Sequence, residues 1–290
     1  MKPAPFEYFQ PHSLDEALAL LDEHGSDAKP LAGGQSLIPA MNFRLATPAV
    51  LVDLNALSEL AYIKDGETLR LGGMTRQRTV ERSAVVRKEA PLVSETMPFI
   101  AHAAIRNRGT VGGSLAHADP AAELPAVMLA LNARFTLKNP KSSRTVSAAD
   151  FFVGLFTTAV EPGELLTEIE IPKAGTRTGF AFQEISRRHG DFALVGVAAA
   201  VTLDQSGRCA ASRITLLSVG DRPMLADRAS AALKAQTPSA EAIQAAADAA
   251  AQNDIDPPSD IHASAKFRRQ LANVLTRRVL TLAFSRAQQP

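Results

Sequence analysis

The fold of this chain is decided by the stretch Ile105-Arg106-Asn107-Arg108-Gly109-Thr110-Val111-Gly112-Gly113-Ser114-Leu115-Ala116-His117-Ala118-Asp119-Pro120. Its central glycine pair stands between two hydroxyl-bearing residues, Thr110 and Ser114. Glycine has no Cβ and accepts positive φ, so a glycine-rich backbone can approach a ligand closely and present N–H groups to an anion. The stretch therefore predicts a phosphate-binding loop, and we call residues 108–117 the second glycine segment.

A related segment precedes it in the chain. The first glycine segment (residues 31–37) reads Leu31-Ala32-Gly33-Gly34-Gln35-Ser36-Leu37 and is followed by a predicted buried strand at residues 50–54. One glycine pair alone is more often a tight turn without a ligand. Two such segments can close on one extended cofactor that carries phosphates. Neither has the spacing G-x-G-x-x-G or G-x-x-x-x-G-K-[ST], which disfavours Rossmann and P-loop sites.

Apolar periodicity and turn residues predict a mixed protein of the α+β class. Ser13 and Glu16 have the spacing of a capping box and predict a first helix that ends at His24. Helices are also predicted at residues 90–105 and 121–132, a hairpin at 62–71, and strands at 135–137 and 165–171.

Beyond residue 175 the pattern changes. Alternating apolar residues and a short turn predict a small antiparallel sheet, and helices complete the chain. The expected division is residues 1–57, 58–175 and 176–290. The last helix has an apolar stripe and several arginines expected on a solvated face, with a subunit contact as the alternative. The stripe comprises Phe267, Leu271, Val274, Leu275 and Leu280, and the arginines are Arg268, Arg269, Arg277 and Arg278.

Composition limits the classes of function. The formal net charge of +1 gives no reason to expect nucleic acid or an anionic membrane surface as a partner. The single cysteine, Cys209, excludes an internal disulfide and a four-cysteine iron-sulfur cluster within the chain. The six histidines are scattered without metal-ligand spacing, and no nucleophile elbow is present, so neither a metal site nor a catalytic side chain is predicted. No apolar stretch is long enough for a bilayer, and we expect a cytoplasmic protein.

Both glycine segments closely resemble those of the FAD-binding medium subunits of molybdenum hydroxylases, the family of xanthine dehydrogenase and carbon monoxide dehydrogenase. The run Phe182-Gln183-Glu184-Ile185-Ser186-Arg187-Arg188-His189-Gly190-Asp191-Phe192 is similar to the start of that family's C-terminal domain. The resemblance implies a two-subdomain FAD-binding domain of the vanillyl-alcohol-oxidase/PCMH type. A C-terminal antiparallel sheet with helices, as in the carbon monoxide dehydrogenase flavoprotein, would follow it.

The resemblance also implies which residues bind FAD. The diphosphate would lie against residues of both glycine segments, and the flavin ring against residues outside them. The first group is Leu31, Ala32, Gly33, Gly34, Gln35, Ser36, Leu37, Thr110, Gly113, Ser114, Ala116 and His117. The second group is Ile100, Ala101, Glu123, Leu165, Leu166 and Gln183. Without the resemblance, Glu123 would be interpreted as a solvated helix residue, and the four apolar residues as core. Some xanthine-oxidising relatives have lysine where this chain has Gln183, which leaves the acceptor and the flavin potential open.

The implied function is electron transfer. A molybdopterin-binding large subunit would oxidise the substrate, and a 2Fe-2S small subunit would pass electrons to FAD in this chain. From there they would reach an external acceptor such as NAD+, a quinone or oxygen. The three chains would form a heterotrimer or its dimer. Two alternatives stay open: a stand-alone FAD-dependent oxidoreductase, and a flavin-free assembly subunit.

Overall fold

The N-terminal part of the molecule is a small parallel α/β unit. The computed structural model describes residues 2–289. The unit consists of β1 (Glu7–Phe9), α1 (Leu14–His24), β2 (Ala28–Leu31), α2 (Leu37–Asn42) and β3 (Val50–Asp53). The strand order β1-β3-β2 places β3 in the centre, and both pairings are parallel. Ser13 caps α1 by accepting a hydrogen bond from the N–H of Glu16 at 3.2 Å, which confirms the predicted start of this helix.

A five-stranded antiparallel sheet with helices forms the middle of the chain. Its strand order is β4-β5-β10-β6-β7, and β8 pairs with β9 in a separate hairpin. The strands are β4 (Ile63–Lys64), β5 (Thr68–Gly72), β6 (Arg134–Lys138), β7 (Ser143–Ser147), β8 (Phe152–Gly154), β9 (Thr157–Thr158) and β10 (Leu165–Pro172). The helices are α3 (Gln77–Arg82), α4 (Ala84–Glu89), α5 (Pro91–Thr96), α6 (Ala103–Arg108), α7 (Val111–His117), α8 (Glu123–Ala130) and α9 (Ala148–Phe151).

The C-terminal part is a four-stranded antiparallel sheet, in the order β11-β12-β13-β14, followed by three helices. The strands are β11 (Thr178–Ser186), β12 (Ala193–Leu203), β13 (Cys209–Leu217) and β14 (Met224–Leu225). The helices are α10 (Asp227–Leu233), α11 (Ala240–Asn253) and α12 (Ala265–Ala287). The predicted α+β class with a C-terminal antiparallel sheet is confirmed.

The two faces of the C-terminal sheet pack against different partners. Side chains alternate between the faces of a strand. Phe182 and its cross-strand neighbour Ala198 belong to the core of the middle part, whereas Ala181 and Val197 belong to a core shared with α12. The sheet therefore lies between the middle part and α12, and residues 182 and 184 of β11 are on the side of the middle part.

Helix α8 is held at this junction. Each of its residues is buried, so it has no solvated face. The hydroxyl of Thr215 donates to the carbonyl of Ala126 at 2.8 Å, and the guanidinium of Arg213 donates to the carbonyl of Leu129 at 2.9 and 3.1 Å. Side chains of β13 thereby fix α8 against the C-terminal sheet.

The expectations for helix α12 and for the second glycine segment are wrong. Arg268 is buried, because its guanidinium donates to the carbonyls of Leu194 and Ser218 and to Asp260, whereas Phe267 is 43% exposed. The apolar stripe of α12 therefore begins after Phe267, and Arg268 is not on a solvated face. The glycine pair of the second segment lies inside helix α7 and not in a loop.

The predicted domain limits, residues 1–57, 58–175 and 176–290, stay a prediction. The three sheets lie within residues 7–53, 63–172 and 178–225. Within residues 2–289, no helix combines the length and the apolar character needed to cross a bilayer.

Candidate functional site

The two glycine segments touch through their backbones. A Cβ built on Gly33 would lie 2.5 Å from the carbonyl oxygen of Arg108 and 2.7 Å from the Cα of Gly109. Real Cβ atoms do not approach backbone this closely, so only glycine permits the contact. Gly34, next in the chain, has a φ of +71°, which side chains disfavour. The structure thus brings together the two segments that the sequence predicted to share a ligand.

The first segment has backbone donors free. The N–H groups of Gly33, Gly34, Gln35 and Ser36 donate to no acceptor within residues 2–289. The Gln35 side chain instead donates to the carbonyl of Gly33 at 3.0 Å, which tightens the turn. These residues are only partly buried, apart from the exposed Ser36, so a bound group can reach the donors. A turn with successive free N–H groups is suited to an anion such as a diphosphate.

The second segment starts with a helix cap. Thr110 is the N-cap of α7, and its hydroxyl accepts from the N–H of Gly113 at 3.0 Å. A Cβ on Gly113 would lie 2.7 Å from that hydroxyl and 3.4 Å from the Cβ of Ala32. Gly113 therefore faces the first segment, and the missing side chain keeps the space between the two segments open. Ser114 is partly buried, and Ala116 is exposed.

The side chains of Asn55 and Arg76 connect the two segments through hydrogen bonds. Neither residue was predicted from the sequence. The amide of Asn55 donates to the carbonyl of Ala32 at 3.0 Å. The guanidinium of Arg76 donates to Asn55 Oδ1 at 2.6 Å and to the carbonyl of Arg108. One amide and one guanidinium therefore fix the distance between the segments. No sequence signal identified them, because the hydrogen bonds span 21 to 32 residues of chain.

Backbone contacts also seat α7 on the central strand β10. Gly112 donates its N–H to the carbonyl of Gly73 at 2.9 Å, and a Cβ on Gly112 would lie 2.6 Å from that oxygen. A Cβ on Gly73 would in turn lie 2.4 Å from the carbonyl oxygen of Leu166. Leu165 and Leu166 are buried, as expected for core residues. The backbone of Leu166 contacts Gly73, which in turn contacts Gly112 of the second segment.

Ile100 and Ala101 lie in the turn before α6. Their carbonyls accept hydrogen bonds from the guanidinium of Arg106, at 2.8 and 3.3 Å. Arg106 is itself buried and held by both carboxylate oxygens of Glu81, and this interaction lowers the pKa of Glu81. Ala101 has a φ of +43°, so the turn is strained for an alanine. The predicted helix over residues 90–105 is therefore interrupted, and the expectation that Ile100 and Ala101 belong to a helix is wrong.

The C-terminal end of α7 carries an aromatic contact. The ring of His117 lies 5.0 Å from that of Phe156, centroid to centroid. Phe156 is at the tip of the β8–β9 hairpin, is 52% exposed and has a φ of +50°. This hairpin thus approaches the end of the second segment.

Two carboxyl groups near the start of α8 have raised pKa values, the buried Glu123 and the half-buried Glu184. Glu123 is the first residue of the helix and only 6% exposed, so its interpretation as a solvated residue is wrong. Burial raises the pKa of Glu123 to about 7. Burial, followed by the negative charge of Glu123, raises the pKa of Glu184 on β11 to about 8. Glu184 was not among the predicted site residues.

Within residues 2–289, no hydrogen bond or ion pair connects Gln183 with either glycine segment. Strand alternation puts it on the face of β11 that also carries Ala181 and that α12 covers. Its neighbour Glu184 is on the other face, with Phe182, toward the middle part of the chain. The predicted place of Gln183 beside the flavin stays a prediction.

Known proteins similar to this chain agree with this architecture. The family model described as FAD binding domain in molybdopterin dehydrogenase matches residues 4–174. The model described as CO dehydrogenase flavoprotein C-terminal domain matches residues 180–283. The chain is 43% identical over 289 residues to the 6-hydroxypseudooxynicotine dehydrogenase complex subunit alpha of Paenarthrobacter nicotinovorans, covering 99% of this chain and 97% of that protein. It is 39% identical to the carbon monoxide dehydrogenase medium chain of Afipia carboxidovorans, over 99% of this chain and 100% of that one.

Solved structures give the same picture. Carbon monoxide dehydrogenase from Hydrogenophaga pseudoflava superposes with a TM-score of 0.95 at 39% identity, covering 99% of both chains. Quinoline 2-oxidoreductase from Pseudomonas putida 86 superposes with a TM-score of 0.94 at 40% identity, covering 100% of both chains. The chain therefore belongs to the family of FAD-binding subunits of molybdenum hydroxylases, and FAD is its cofactor.

Proposed function

We propose that the two glycine segments hold the diphosphate of FAD between them. The observation that carries this proposal is the backbone contact of Gly33 with Arg108 and Gly109, which only glycine permits. The free N–H groups of the first segment are suited to phosphate oxygens, and the space beside Gly113 is one that a Cβ would fill. The proposed diphosphate ligands are Leu31, Ala32, Gly33, Gly34, Gln35, Ser36, Leu37, Thr110, Gly113, Ser114, Ala116 and His117.

The residues proposed to surround the flavin ring are those packed around helices α7 and α8, together with Gln183. Ile100 and Ala101 form a strained turn that Arg106 fixes, and Leu165 and Leu166 lie on the central strand behind the second segment. Glu123 begins the helix that follows α7 in the chain. These residues, together with Gln183, are the proposed surroundings of the ring.

The proposed role is electron transfer within a larger complex. Bound FAD supplies the chemistry of accepting single electrons and releasing them in pairs. The side chains of this chain orient the cofactor and set the charge around it, and none is needed as a nucleophile. The proposed electron donor is a 2Fe-2S small subunit that receives electrons from a molybdopterin-binding large subunit in the cytoplasm. The proposed final acceptor is NAD+, a quinone or oxygen.

Similarity to proteins of known assembly supports this role. Two relatives are named as one subunit of a dehydrogenase complex and as a medium chain, and the alignments cover 97% and 100% of their length. The chain contains only one cysteine, so it cannot supply the cysteine ligands of an iron-sulfur cluster by itself.

Purification through a tag on this chain from its native host tests the proposal. We expect FAD, iron and molybdenum to co-purify with two further chains. A chain that purifies alone with FAD and oxidises a small substrate would establish the stand-alone oxidoreductase. A complex with iron and molybdenum but without flavin would establish the assembly subunit.

A further inference from the structure

An arginine side chain lies where the two glycine segments meet. The guanidinium of Arg76 donates to the carbonyl of Arg108 in the second segment and, at 2.6 Å, to Oδ1 of Asn55. The amide of Asn55 in turn donates to the carbonyl of Ala32 in the first segment at 3.0 Å. The positive charge of Arg76 is therefore one hydrogen bond away from the second segment and two away from the first.

The main chain holds Arg76 at this junction independently of its side chain. Arg76 and Thr110 pair in an isolated antiparallel β-bridge. Next to this bridge, the N–H of Gln77 donates to the carbonyl of Gly109 at 2.9 Å. Thr110 is the N-cap of α7, the helix that contains Gly113. Because the bridge is made by backbone atoms, a change of the Arg76 side chain leaves it in place.

Arg76 has no carboxylate partner. Arg78 and Arg106 both pair with Glu81, whereas Arg76, although half-buried, forms no ion pair within residues 2–289. Each terminal nitrogen of its guanidinium has one N–H engaged with a neutral oxygen, so the second N–H of each and the Nε–H have no protein acceptor. Neutral acceptors compensate the desolvation of a half-buried charge only in part. The side chain therefore has donors and charge available for an anion.

The other charged groups near Arg76 leave the junction positive. Asp53 accepts hydrogen bonds from the hydroxyl of Tyr8 and from the N–H of Asn55, and none from Arg76. Arg108, at the end of α6, brings a second positive charge and is exposed. Burial, followed by the charge of Arg108, lowers the pKa of Arg76, and the charge of Asp53 offsets this only in part. An anion bound at the junction would remove this imbalance.

We propose that Arg76 supplies the counter-charge of the FAD diphosphate, so that this chain selects a diphosphate-bearing ligand by charge as well as by shape. The free backbone N–H groups of the first segment give the site its geometry, but they have no net charge of their own. A guanidinium stays protonated at every working pH and is suited to phosphate. Arg76 acts through its charge from the junction and needs no direct contact with the cofactor. The inference rests on the proposed diphosphate site.

The first arm of the test separates the diphosphate from the flavin. Dissociation constants of FAD and of ADP, which contains the diphosphate without the flavin, are measured for the FAD-free chain by calorimetry. Arg76→Gln removes the charge and keeps an amide that can donate hydrogen bonds. It should weaken both ligands by the same factor, about tenfold or more. Arg76→Lys should recover part of the loss. Arg82→Gln, which removes one charge at an exposed position of α3, is the control and should bind both as the wild type does.

The second arm distinguishes charge from positioning. Salt screens attraction between charges, so the affinity of the wild type for FAD and ADP should fall as the sodium chloride concentration rises from about 0.05 M to about 0.5 M. The fall should be smaller in Arg76→Gln and unchanged in Arg82→Gln. A purely structural role of Arg76 would lower the affinity by one factor at every salt concentration. If Arg76→Gln does not fold, Arg76→Met, with a long side chain and no charge, takes its place.

The outcomes separate the two proposals. The counter-charge alone is overturned if Arg76→Gln binds FAD and ADP as the wild type does. It is equally overturned if the loss is the same at every salt concentration and Arg76→Lys recovers none of it. The diphosphate site itself is overturned if the wild type binds neither ligand, or if a folded Gly33→Ala variant binds both with wild-type affinity.

Discussion

Asn55 joins the first glycine segment to Arg76, and through Arg76 to the second. This pair shows how single residues position the site without belonging to it. The glycines were recognisable from the sequence because two glycine pairs in separate segments can close on one cofactor, whereas one pair alone is more often a tight turn. Asn55 and Arg76 were not, since their function depends on which chain segments meet in space. The same holds for Glu184, whose partial burial is a property of the packed sheet and not of the local sequence.

Replacing Asn55 by alanine tests the connection between the segments. Asn55→Ala removes the hydrogen bond to Ala32 and leaves Arg76 with one partner fewer. We expect the dissociation constant for FAD to rise about tenfold, which corresponds to about 1.4 kcal/mol, with little change in the folded structure. Fluorescence titration of the FAD-free chain measures this. Asn107→Ala, at an exposed position of α6, is the control, and equal affinities in both variants would contradict the positioning role.

Helix α7 is an element in which tertiary packing overrides the low helix propensity of the local sequence. Adjacent glycines disfavour a helix by roughly 1 kcal/mol each, and the sequence therefore predicted a loop. The close approach of Gly112 to Gly73 and the cap by Thr110 make the helix possible. By contrast, α1 and the strand β10 were predicted well, because a helix cap and an alternating apolar pattern identify them locally.

A methyl group at Gly112 tests this packing. In a free helix Gly112→Ala would be favourable, but here the new Cβ would lie 2.6 Å from the carbonyl oxygen of Gly73, which is part of a fixed backbone. Overpacking should dominate and lower the free energy of unfolding by about 1–3 kcal/mol. Denaturant unfolding monitored by circular dichroism measures the change. Gly66→Ala, where the nearest atom is 3.6 Å away, is the control, and a stability of Gly112→Ala at or above that of the wild type would contradict the account.

At the scale of the whole molecule, the FAD-binding part and the C-terminal sheet share one core. Phe182 and Leu217 of the C-terminal sheet pack with residues of the middle part, so the two parts cannot separate without exposing apolar surface. The fold class and the order of the parts could be predicted from the sequence through the glycine segments and the resemblance they carry. The burial of Glu123 and the partial burial of Glu184 could not be predicted, because both depend on how the two parts pack.

The raised pKa values of Glu123 and Glu184 predict a pH-dependent stability of the whole chain. The pKa values of Glu123 and Glu184 are raised from 4.5 to about 7 and about 8 in the folded state. Their contribution is fully present below about pH 4.5 and is lost as the pH rises through 7 to 8. The melting temperature of the FAD-free chain should therefore fall between pH 6 and pH 9, and less so in Glu184→Gln. Differential scanning calorimetry across this pH range measures the melting temperature of both proteins. An identical fall in the wild type and in Glu184→Gln would exclude these carboxyl groups as the cause.

The central claim is that the contact between the two glycine segments makes one FAD site. The most direct measurement is the dissociation constant of FAD for the FAD-free chain, compared between wild type, Gly33→Ala and the control Gly66→Ala. The account predicts that Gly33→Ala, whose new Cβ would lie 2.5 Å from the carbonyl oxygen of Arg108, weakens binding by about tenfold or more. Gly66→Ala should bind as the wild type does. A folded Gly33→Ala variant with wild-type affinity would contradict the claim.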